Sequence, residues 1–205
     1  MKQALILDLD NTIYPVSSIA GHLFEPIFTL LDQFSDTIDV AAAKEDMQRR
    51  HFHLVADRYN FGPELTAKGI ELLSNFEFEL PMQPFDDYYL IKSIPIKKFL
   101  VTTGFTRLQW SKVKQLGIET DFAEIHIVDP EKSKQTKKDV FADILKRYNY
   151  SAADVLVIGD DPESEIKAAT DLDIDTFLFD PENKHVDAVV TYRSVELRDV
   201  LNYLS

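Results

Sequence analysis

The 205-residue sequence contains no cysteine, no long apolar run and no excess of basic residues. Without cysteine there is no disulfide, no thiol nucleophile and no cysteine-ligated zinc or iron–sulfur site, and the composition is compatible with a reducing compartment. No segment approaches the roughly 18 consecutive apolar residues that a membrane helix needs. The formal net charge of -13 disfavours nucleic-acid partners, because nucleic-acid phosphates are bound by clustered lysine and arginine side chains.

The N-terminus also lacks a secretory signal, since it has no basic region, apolar core or small-residue cleavage site before the first predicted strand. We therefore expect a soluble, cytoplasmic protein with no membrane partner. A chain of this length holds one domain with a substantial core, or a core domain with a small insertion. Nothing in the sequence indicates an oligomeric state.

In residues 1–16 and 92–205, short apolar runs alternate with amphipathic stretches. The apolar runs predict strands over Ala4–Leu7, Lys97–Thr103, Ile125–Val128, Asp154–Gly159, Thr176–Phe179 and Asp187–Thr191. The amphipathic stretches predict helices over Thr106–Leu116, Thr136–Tyr148, Glu163–Ala169 and Ser194–Leu204. Such alternation is typical of an α/β fold, with a Rossmann-like parallel sheet flanked by helices and right-handed crossovers.

Residues 17–91, which we call the insert, have a helical pattern instead. Apolar residues recur at helical spacing from Leu23 to Leu31, and residues 41–59 continue in the same style. Gly62 and Pro63 then precede a further helical stretch. We predict that the insert forms a helical cap on a catalytic core made of residues 1–16 and 92–205.

Polar residues follow three of the predicted strands. Asp8 and Asp10 end the first, and alternate residues of a strand point to the same side, so the two carboxylates can converge. Thr102 and Thr103 end the second, and Asp160 follows the strand that ends at residue 159. Sites in open parallel sheets form beyond these strand ends. Carboxylates held close together need a cation or a proton between them, and oxygen ligands of this kind suit Mg²⁺.

On these motifs the sequence resembles the haloacid dehalogenase superfamily, specifically its phosphatase branch. Asp8–Thr12 is similar to the first motif of that superfamily, Val101–Gly104 to the second, and Val157–Asp161 with Glu165 to the fourth. The insert falls where the superfamily often carries a helical cap. The string Asp8–Pro15 is also similar to the pyrimidine 5′-nucleotidase-like branch.

The resemblance implies a Mg²⁺-dependent phosphatase that hydrolyses a small phosphate monoester, for example a nucleoside monophosphate, through an aspartyl phosphate. Asp8 would be the nucleophile, and Asp10 would act as general acid and then as general base. Mg²⁺ would be held by Asp8, the Asp10 carbonyl and Asp160. Asp161 and Glu165 would support the metal indirectly, by orienting these ligands and not by binding the ion.

The resemblance also implies that Thr102, Thr103 and a lysine bind the phosphate oxygens. Spacing to Phe141 favours Lys137 as that lysine, while a helix start just before it leaves Lys134 open. Thr103 stands where many relatives have asparagine, and no Lys-Pro pair marks the lysine.

Two other functions stay open on the sequence. A sugar phosphomutase would pass the same phosphoryl group to a sugar hydroxyl if the cap excludes water. A protein of another class, a non-catalytic phospholigand-binding or regulatory protein, would keep the fold without turnover. Arg49 and Arg50 are expected at the surface, with substrate contact from the cap as the alternative, and the spacing of His51 and His53 does not favour zinc.

Overall fold

The computed structural model describes residues 1–204 and contains a six-stranded sheet whose neighbouring strands are all parallel. The strands are β1 (Ala4–Leu7), β2 (Lys97–Thr103), β3 (Glu124–Val128), β4 (Val155–Gly159), β5 (Asp175–Phe179) and β6 (Tyr192–Ser194). Their order across the sheet is β3-β2-β1-β4-β5-β6. The predicted α/β, Rossmann-like fold is therefore confirmed.

Helices lie between the strands in chain order. They are α1 (Ala20–Asp32), α2 (Val40–Met47), α3 (Phe52–Arg58), α4 (Gly62–Asn75), α5 (Tyr88–Ser93), α6 (Thr106–Leu116), α7 (Lys137–Tyr148) and α8 (Lys167–Thr170). Short 3₁₀ segments occur at Val16–Ser18, Glu119–Asp121, Ala152–Asp154 and Leu197–Tyr203, and a π-helical turn at Pro162–Ile166. Within residues 1–204, no helix has both the length and the apolar character needed to cross a membrane.

Both faces of the central strands are buried. Leu5 and Leu7 pack into a large apolar cluster that includes residues of the insert and of α6, whereas Ala4 and Ile6 face a second cluster formed with α7 and α8. All side chains of β1 and β4 are buried. Continuous apolar runs are expected for parallel strands, because helices cover the sheet on both sides.

The strand order reverses direction between β1 and β4. From β1 the chain passes to β2 and β3 on one side, and β4 and β5 then continue on the other side of β1. Leu7 pairs with Ile158, so the residues that follow β1 and β4 emerge side by side. Open α/β sheets bind their ligands in the crevice that forms at such a switch point.

The insert contains α1 to α4 and most of α5. The helical pattern over residues 41–59 corresponds to two helices, because an extended backbone at His51 (φ -66°, ψ 152°) separates α2 from α3. The predicted boundary at residue 91 falls within α5. The division of the chain into a core and a cap stays a prediction.

Two elements predicted near the C-terminus are wrong. Residues 187–191 do not form a strand, and Val189 within them is 90% exposed. The segment is joined to β5 by reciprocal 3.0 Å bonds, in which the backbone N–H of Thr176 and that of Thr191 each donate to the hydroxyl of the other threonine. Between β5 and this segment, these bonds to side-chain hydroxyls take the place of the backbone–backbone hydrogen bonds of paired strands. The predicted helix over 194–204 is a 3₁₀ helix that begins at Leu197.

Two glycine-to-alanine substitutions are expected to change stability in opposite directions. Gly117 ends α6 with a left-handed backbone (φ 66°), where a Cβ atom costs about 1–2 kcal/mol, so Gly117→Ala should lower the free energy of unfolding. Gly21 lies in α1, and a Cβ atom there meets no other atom within 4 Å, so Gly21→Ala should raise it by about 0.5–1 kcal/mol. Urea unfolding measures both changes, and equal signs would contradict this account.

Candidate active site

The carboxyl ends of β1, β2 and β4 open into a cavity of about 270 Å³. The structure brings together at this cavity most of the side chains predicted from sequence, namely Asp8, Asp10, Thr102, Thr103, Lys137, Asp160, Asp161 and Glu165. Residues 47–54 of the insert also line it. The second candidate lysine, Lys134, is exposed and does not line the cavity.

The ammonium group of Lys137 joins two buried carboxylates. Lys137 Nζ lies 2.6 Å from Asp8 Oδ1 and 2.7 Å from Glu165 Oε2. Helix α7 begins at Lys137, with Thr136 and Asp139 forming a capping box, and the lysine side chain of this first residue contacts the carboxylates that follow β1 and β4. Asp8 Oδ2 accepts no hydrogen bond from residues 1–204 and faces the cavity without a donor.

Glu165 reaches Lys137 because the chain after β4 makes a wide turn. The predicted helix over 163–169 is a π-helical turn, Pro162–Ile166, followed by the short helix α8. Glu165 is 1% exposed, and its second oxygen accepts the backbone N–H of Asp161 at 2.7 Å. A Cβ atom on Gly159 would lie 2.2 Å from the Glu165 side chain, so only glycine leaves room for this arrangement.

Burial and mutual repulsion shift the titration of this acidic cluster. Burial raises the pKa of Asp8 to about 7, where the attraction of Lys137 opposes the shift and the repulsion of Glu165 and Asp10 adds to it. Burial and the charges of Glu165 and Asp8 raise the pKa of Asp160 well above its ordinary value. Burial disfavours the charge on Lys137, but Asp8 and Glu165 outweigh it and raise the lysine pKa.

The acidic cluster has the donor set of a divalent-cation site. Asp8, Asp160 and Glu165 each offer an oxygen, and these oxygens lie within 4.8 Å of one another. Asp160 has no cationic partner in residues 1–204, and its one hydrogen bond is a 3.5 Å contact from the Thr12 hydroxyl. A hard cation such as Mg²⁺ suits carboxylate oxygens held in this way, so the residues fit a metal.

Asp10 lies in a different environment, although it is only two residues from Asp8. Its Oδ1 atom is 2.8 Å from Lys112 Nζ and also accepts the hydroxyl of Tyr14, and its Oδ2 atom accepts Gln109 Nε2 at 3.0 Å. Burial would raise the pKa of Asp10, but the Lys112 ammonium and the three hydrogen bonds outweigh it and lower that pKa. Lys112, Gln109 and Tyr14 are not recognisable as site residues from the sequence, because nothing in an ordinary amphipathic helix or a turn marks them.

Gln109 also connects Asp10 to the end of β2. Its amide Nε2 donates to Thr102 Oγ1 at 2.7 Å and lies 3.3 Å from the carbonyl of Thr103. Thr102 is buried and uses its oxygen as an acceptor, so its own O–H stays available to donate to a bound anion. Thr103 lines the cavity and is half-buried.

The insert contributes basic and aromatic side chains to the same cavity. Arg49 and Arg50 are exposed, as expected, yet both line the cavity. His53 contacts Glu131 at 2.7 Å, whereas the buried Nδ1 of His51 has no hydrogen-bond partner in residues 1–204. Burial and nearby His53 and Lys137 lower the pKa of His51 to about 4, so this imidazole is neutral at pH 7.

A protein-family model matches most of the chain. The model described as "Hydrolase: haloacid dehalogenase-like hydrolase" matches residues 2–173. Among curated proteins, the chain is 23% identical over 189 residues to glyceraldehyde 3-phosphate phosphatase from Methanopyrus kandleri, covering 82% of this chain and 80% of that protein. It is 29% identical over 86 residues to ribulose-1,5-bisphosphate 5-phosphatase from Halopiger xanaduensis, covering 41% of this chain and 36% of that protein.

Solved structures share the fold over the whole chain. The hydrolase YfnB from Bacillus subtilis, whose structure has bound magnesium, has a TM-score of 0.68 and 20% identity and covers 100% of this chain and 99% of its own. A haloacid dehalogenase-like protein from Streptococcus pneumoniae has a TM-score of 0.74 and 16% identity with the same coverage. At these identities the likeness shows the fold alone.

Mg²⁺ is expected to stabilise the folded protein through the acidic cluster. Ligand at about 100 times its dissociation constant adds about 2.7 kcal/mol, which raises Tm by roughly 5–10 °C for a chain of this size. Asp160→Asn removes one carboxylate and should abolish most of that rise. Asp171→Asn is the control, because Asp171 contacts only lysines and lies outside the cavity. Thermal unfolding with and without MgCl₂ measures the rise, and an equal rise in both variants would contradict the site.

Proposed function

The chain belongs to the haloacid dehalogenase-like hydrolases, as its motifs predicted, and we propose that it is a Mg²⁺-dependent phosphatase that acts through an aspartyl phosphate on Asp8. The curated relatives are phosphatases by name, which supports a phosphoric monoester hydrolase. One observation carries the proposal. Two carboxylates at the end of β1 enter the same cavity with different partners, Asp8 beside Lys137 and Asp10 beside Lys112.

In the first step, Asp8 attacks the phosphorus of the substrate. Its Oδ1 atom is held by Lys137, so Oδ2 is the oxygen available for attack. The new bond joins Oδ2 to phosphorus, and the bond from phosphorus to the leaving oxygen breaks. Asp10 gives a proton to that oxygen. Approach of the negatively charged phosphate favours the protonated form of Asp10 that this step requires.

In the second step, water replaces Asp8 on phosphorus. Asp10, now a carboxylate, accepts a proton from the water molecule, whose oxygen attacks the aspartyl phosphate. The phosphorus–Oδ2 bond breaks and releases phosphate and the Asp8 carboxylate. The low pKa of Asp10 suits this half of the reaction, in which the residue acts as a base.

Phosphate binding falls to side chains around the cavity. Lys137 and the hydroxyl of Thr102 would bind the transferred oxygens, with Thr103 beside them, and such positioning is most of the catalysis in phosphoryl transfer. Asp8, the Asp10 carbonyl and Asp160 would hold Mg²⁺, with Asp161 and Glu165 close by. When bound, Mg²⁺ supplies positive charge that offsets the acidic cluster and the phosphate oxygens.

The substrate we propose is a small phosphorylated sugar or a metabolite of similar size. The curated relatives are named for glyceraldehyde 3-phosphate and for ribulose 1,5-bisphosphate, and a cavity of about 270 Å³ suits molecules of this class. A nucleoside monophosphate, as in the nucleotidase-like branch, is the competing substrate. We also propose that the insert is a cap, because residues 47–54 of its α2–α3 region line the cavity and would contact the part of the substrate that is not transferred.

A phosphate-release assay tests the function. Wild-type protein with MgCl₂ should release phosphate from p-nitrophenyl phosphate and from at least one of glyceraldehyde 3-phosphate, ribulose 1,5-bisphosphate and the nucleoside monophosphates. Asp8→Asn should lower kcat by a factor of about 10⁴ or more, since an amide does not act as this nucleophile. The control Asp171→Asn should keep full activity.

Each other result of that assay favours a different function. Release from no ester of the panel would favour the non-catalytic binding protein. Transfer of phosphate to a sugar hydroxyl without net release would favour a mutase. Activity that survives in Asp8→Asn would rule out the covalent step.

The two candidate lysines can be separated by matched substitutions. Lys137→Ala should lower kcat/KM by about 10²–10³-fold, because it removes a buried charge next to the nucleophile and the phosphate site. Lys134→Ala should have near-native kinetics, since Lys134 is exposed and outside the cavity. Thermal unfolding in MgCl₂ checks that both variants are folded. Near-native rates in both would reject Lys137 as the phosphate-binding lysine.

A further inference from the structure

The Asp10 carboxylate is held by three side chains that have no step of their own in the proposed mechanism. Lys112 and Tyr14 both donate to Oδ1, and Gln109 donates to Oδ2. Lys112 is 4% exposed, and its ammonium also lies 6.0 Å from the centre of the Tyr14 ring. A buried lysine with a single carboxylate partner lies, therefore, directly behind the proposed acid and base.

Helix α6 presents Lys112 and Gln109 to the end of β1 from one face. The two residues are three positions apart, which places them on the same side of a helix. The start of α6 is fixed from another strand, because the backbone N–H and the hydroxyl of Thr106 donate to Asp129 Oδ2 at 2.8 and 2.7 Å. Asp129 follows β3, so α6 is anchored to the sheet at the end that carries the site.

The two oxygens of Asp10 are not equivalent in this arrangement. Oδ1 accepts two hydrogen bonds, one from an ammonium group, while Oδ2 accepts one bond from a neutral amide. Gln109 Nε2 divides its hydrogens between Oδ2 and the hydroxyl of Thr102. Protonation of Asp10 is therefore less unfavourable at Oδ2 than at Oδ1, because no positively charged group contacts Oδ2.

We propose that Lys112 is a positioning residue that, with Tyr14, fixes Oδ1 of Asp10 so that Oδ2 carries the proton to the leaving group. The inference rests on the proposed phosphatase function. In the first step the Oδ2–H bond breaks and a bond from that hydrogen to the leaving oxygen forms. In the second step Oδ2 takes a proton from water as its oxygen attacks phosphorus.

Stability alone does not explain a lysine at this position. Replacing both partners of a buried ion pair with apolar groups of similar volume is often neutral or stabilising, so the ammonium group of Lys112 is required by the Asp10 carboxylate and not by the packing of α6. The aliphatic part of Lys112 is matched in length by methionine, which makes Lys112→Met a conservative change in shape. What the change removes is the charged one of the two donors to Oδ1.

The experiment compares two phosphate esters whose leaving groups differ in how strongly their departure depends on protonation. Phenyl phosphate and p-nitrophenyl phosphate have similar shapes, but phenolate is the conjugate base of a group with a pKa of about 10, whereas p-nitrophenol is a much stronger acid. The parameter kcat/KM reports the steps up to release of the leaving group, so it contains the proton transfer from Asp10. Phosphate release measures both substrates at several concentrations, with MgCl₂ present.

Lys112→Met is expected to lower kcat/KM for phenyl phosphate at least about tenfold more than for p-nitrophenyl phosphate, since general acid catalysis is worth about 10²–10⁴ where the leaving group needs it. Tyr14→Phe removes the other donor to Oδ1 and should shift the ratio in the same direction by less. Lys114→Met is the matched control, because Lys114 lies on the same helix and is exposed, and its ratio should be that of the wild type.

Two results would overturn the proposal. An equal loss on both esters in Lys112→Met, or no loss, would show that Lys112 does not position the proton donor, while the phosphatase function would stand. If Lys112→Met does not fold, judged by thermal unfolding, an unchanged ratio in Tyr14→Phe would overturn it in the same way. Failure of the wild type to hydrolyse either ester would instead remove the proposed function and this inference together.

Discussion

The contact between Lys137 and two buried carboxylates is the interaction on which the site depends. Its ammonium lies 2.6 Å from Asp8 and 2.7 Å from Glu165, and so connects the end of β1, the first turn of α7 and the π-helical turn after β4. Buried carboxylates destabilise a fold unless they are paired. Burial raises the pKa values of Asp8 and Asp160, and the mutual repulsion of three carboxylates that one lysine does not neutralise adds to the shift. The same imbalance supports a divalent cation at this place.

The order of the strands in the sheet brings these carboxylates close together. β1 and β4 lie side by side, and the strands that follow each of them in the chain lie toward opposite edges of the sheet. Asp8 and Asp160 therefore follow neighbouring strand ends, although they are 152 positions apart in the sequence. Gly159 then lets Glu165 fold back against the strand end, where any side chain would collide with it. The apolar layers on both faces of the sheet hold the strand ends rigidly. A rigid frame keeps groups that repel one another at fixed distances.

Two carboxylates of one motif acquire different chemistry from the elements that pack against them. Asp8 faces α7 and the turn after β4, whereas Asp10 faces α6 and the Tyr14 hydroxyl. Burial acts to raise the pKa of both acids and prevails at Asp8, whereas Lys112 and three hydrogen bonds outweigh it at Asp10 and lower that pKa. The proposed roles of the two acids, nucleophile and proton carrier, therefore rest on their different partners. Residues 47–54 of the insert line the same cavity as both acids.

Local patterns in the sequence predicted the first five strands of the sheet. β2 and α6 have the bounds that periodicity predicted, because burial on one or both faces leaves a regular spacing of apolar residues. The π-helical turn, the break before His51 and the exposed residues 187–191 departed from those patterns. At these places side-chain contacts outweigh local preference, as with Glu165 held by Lys137 and Thr176 bonded to Thr191.

The sequence by itself determined the fold class, the strand ends that carry chemistry and the set of candidate carboxylates. Only the tertiary structure separated Lys137 from Lys134, which are close in sequence, and only it revealed Lys112 beside Asp10. Lys137 is 129 residues from Asp8, and Lys112 is 102 residues from Asp10. Helix and strand patterns are set by neighbours a few residues apart, whereas these ion pairs form when the order of the strands brings distant helices to one edge of the sheet.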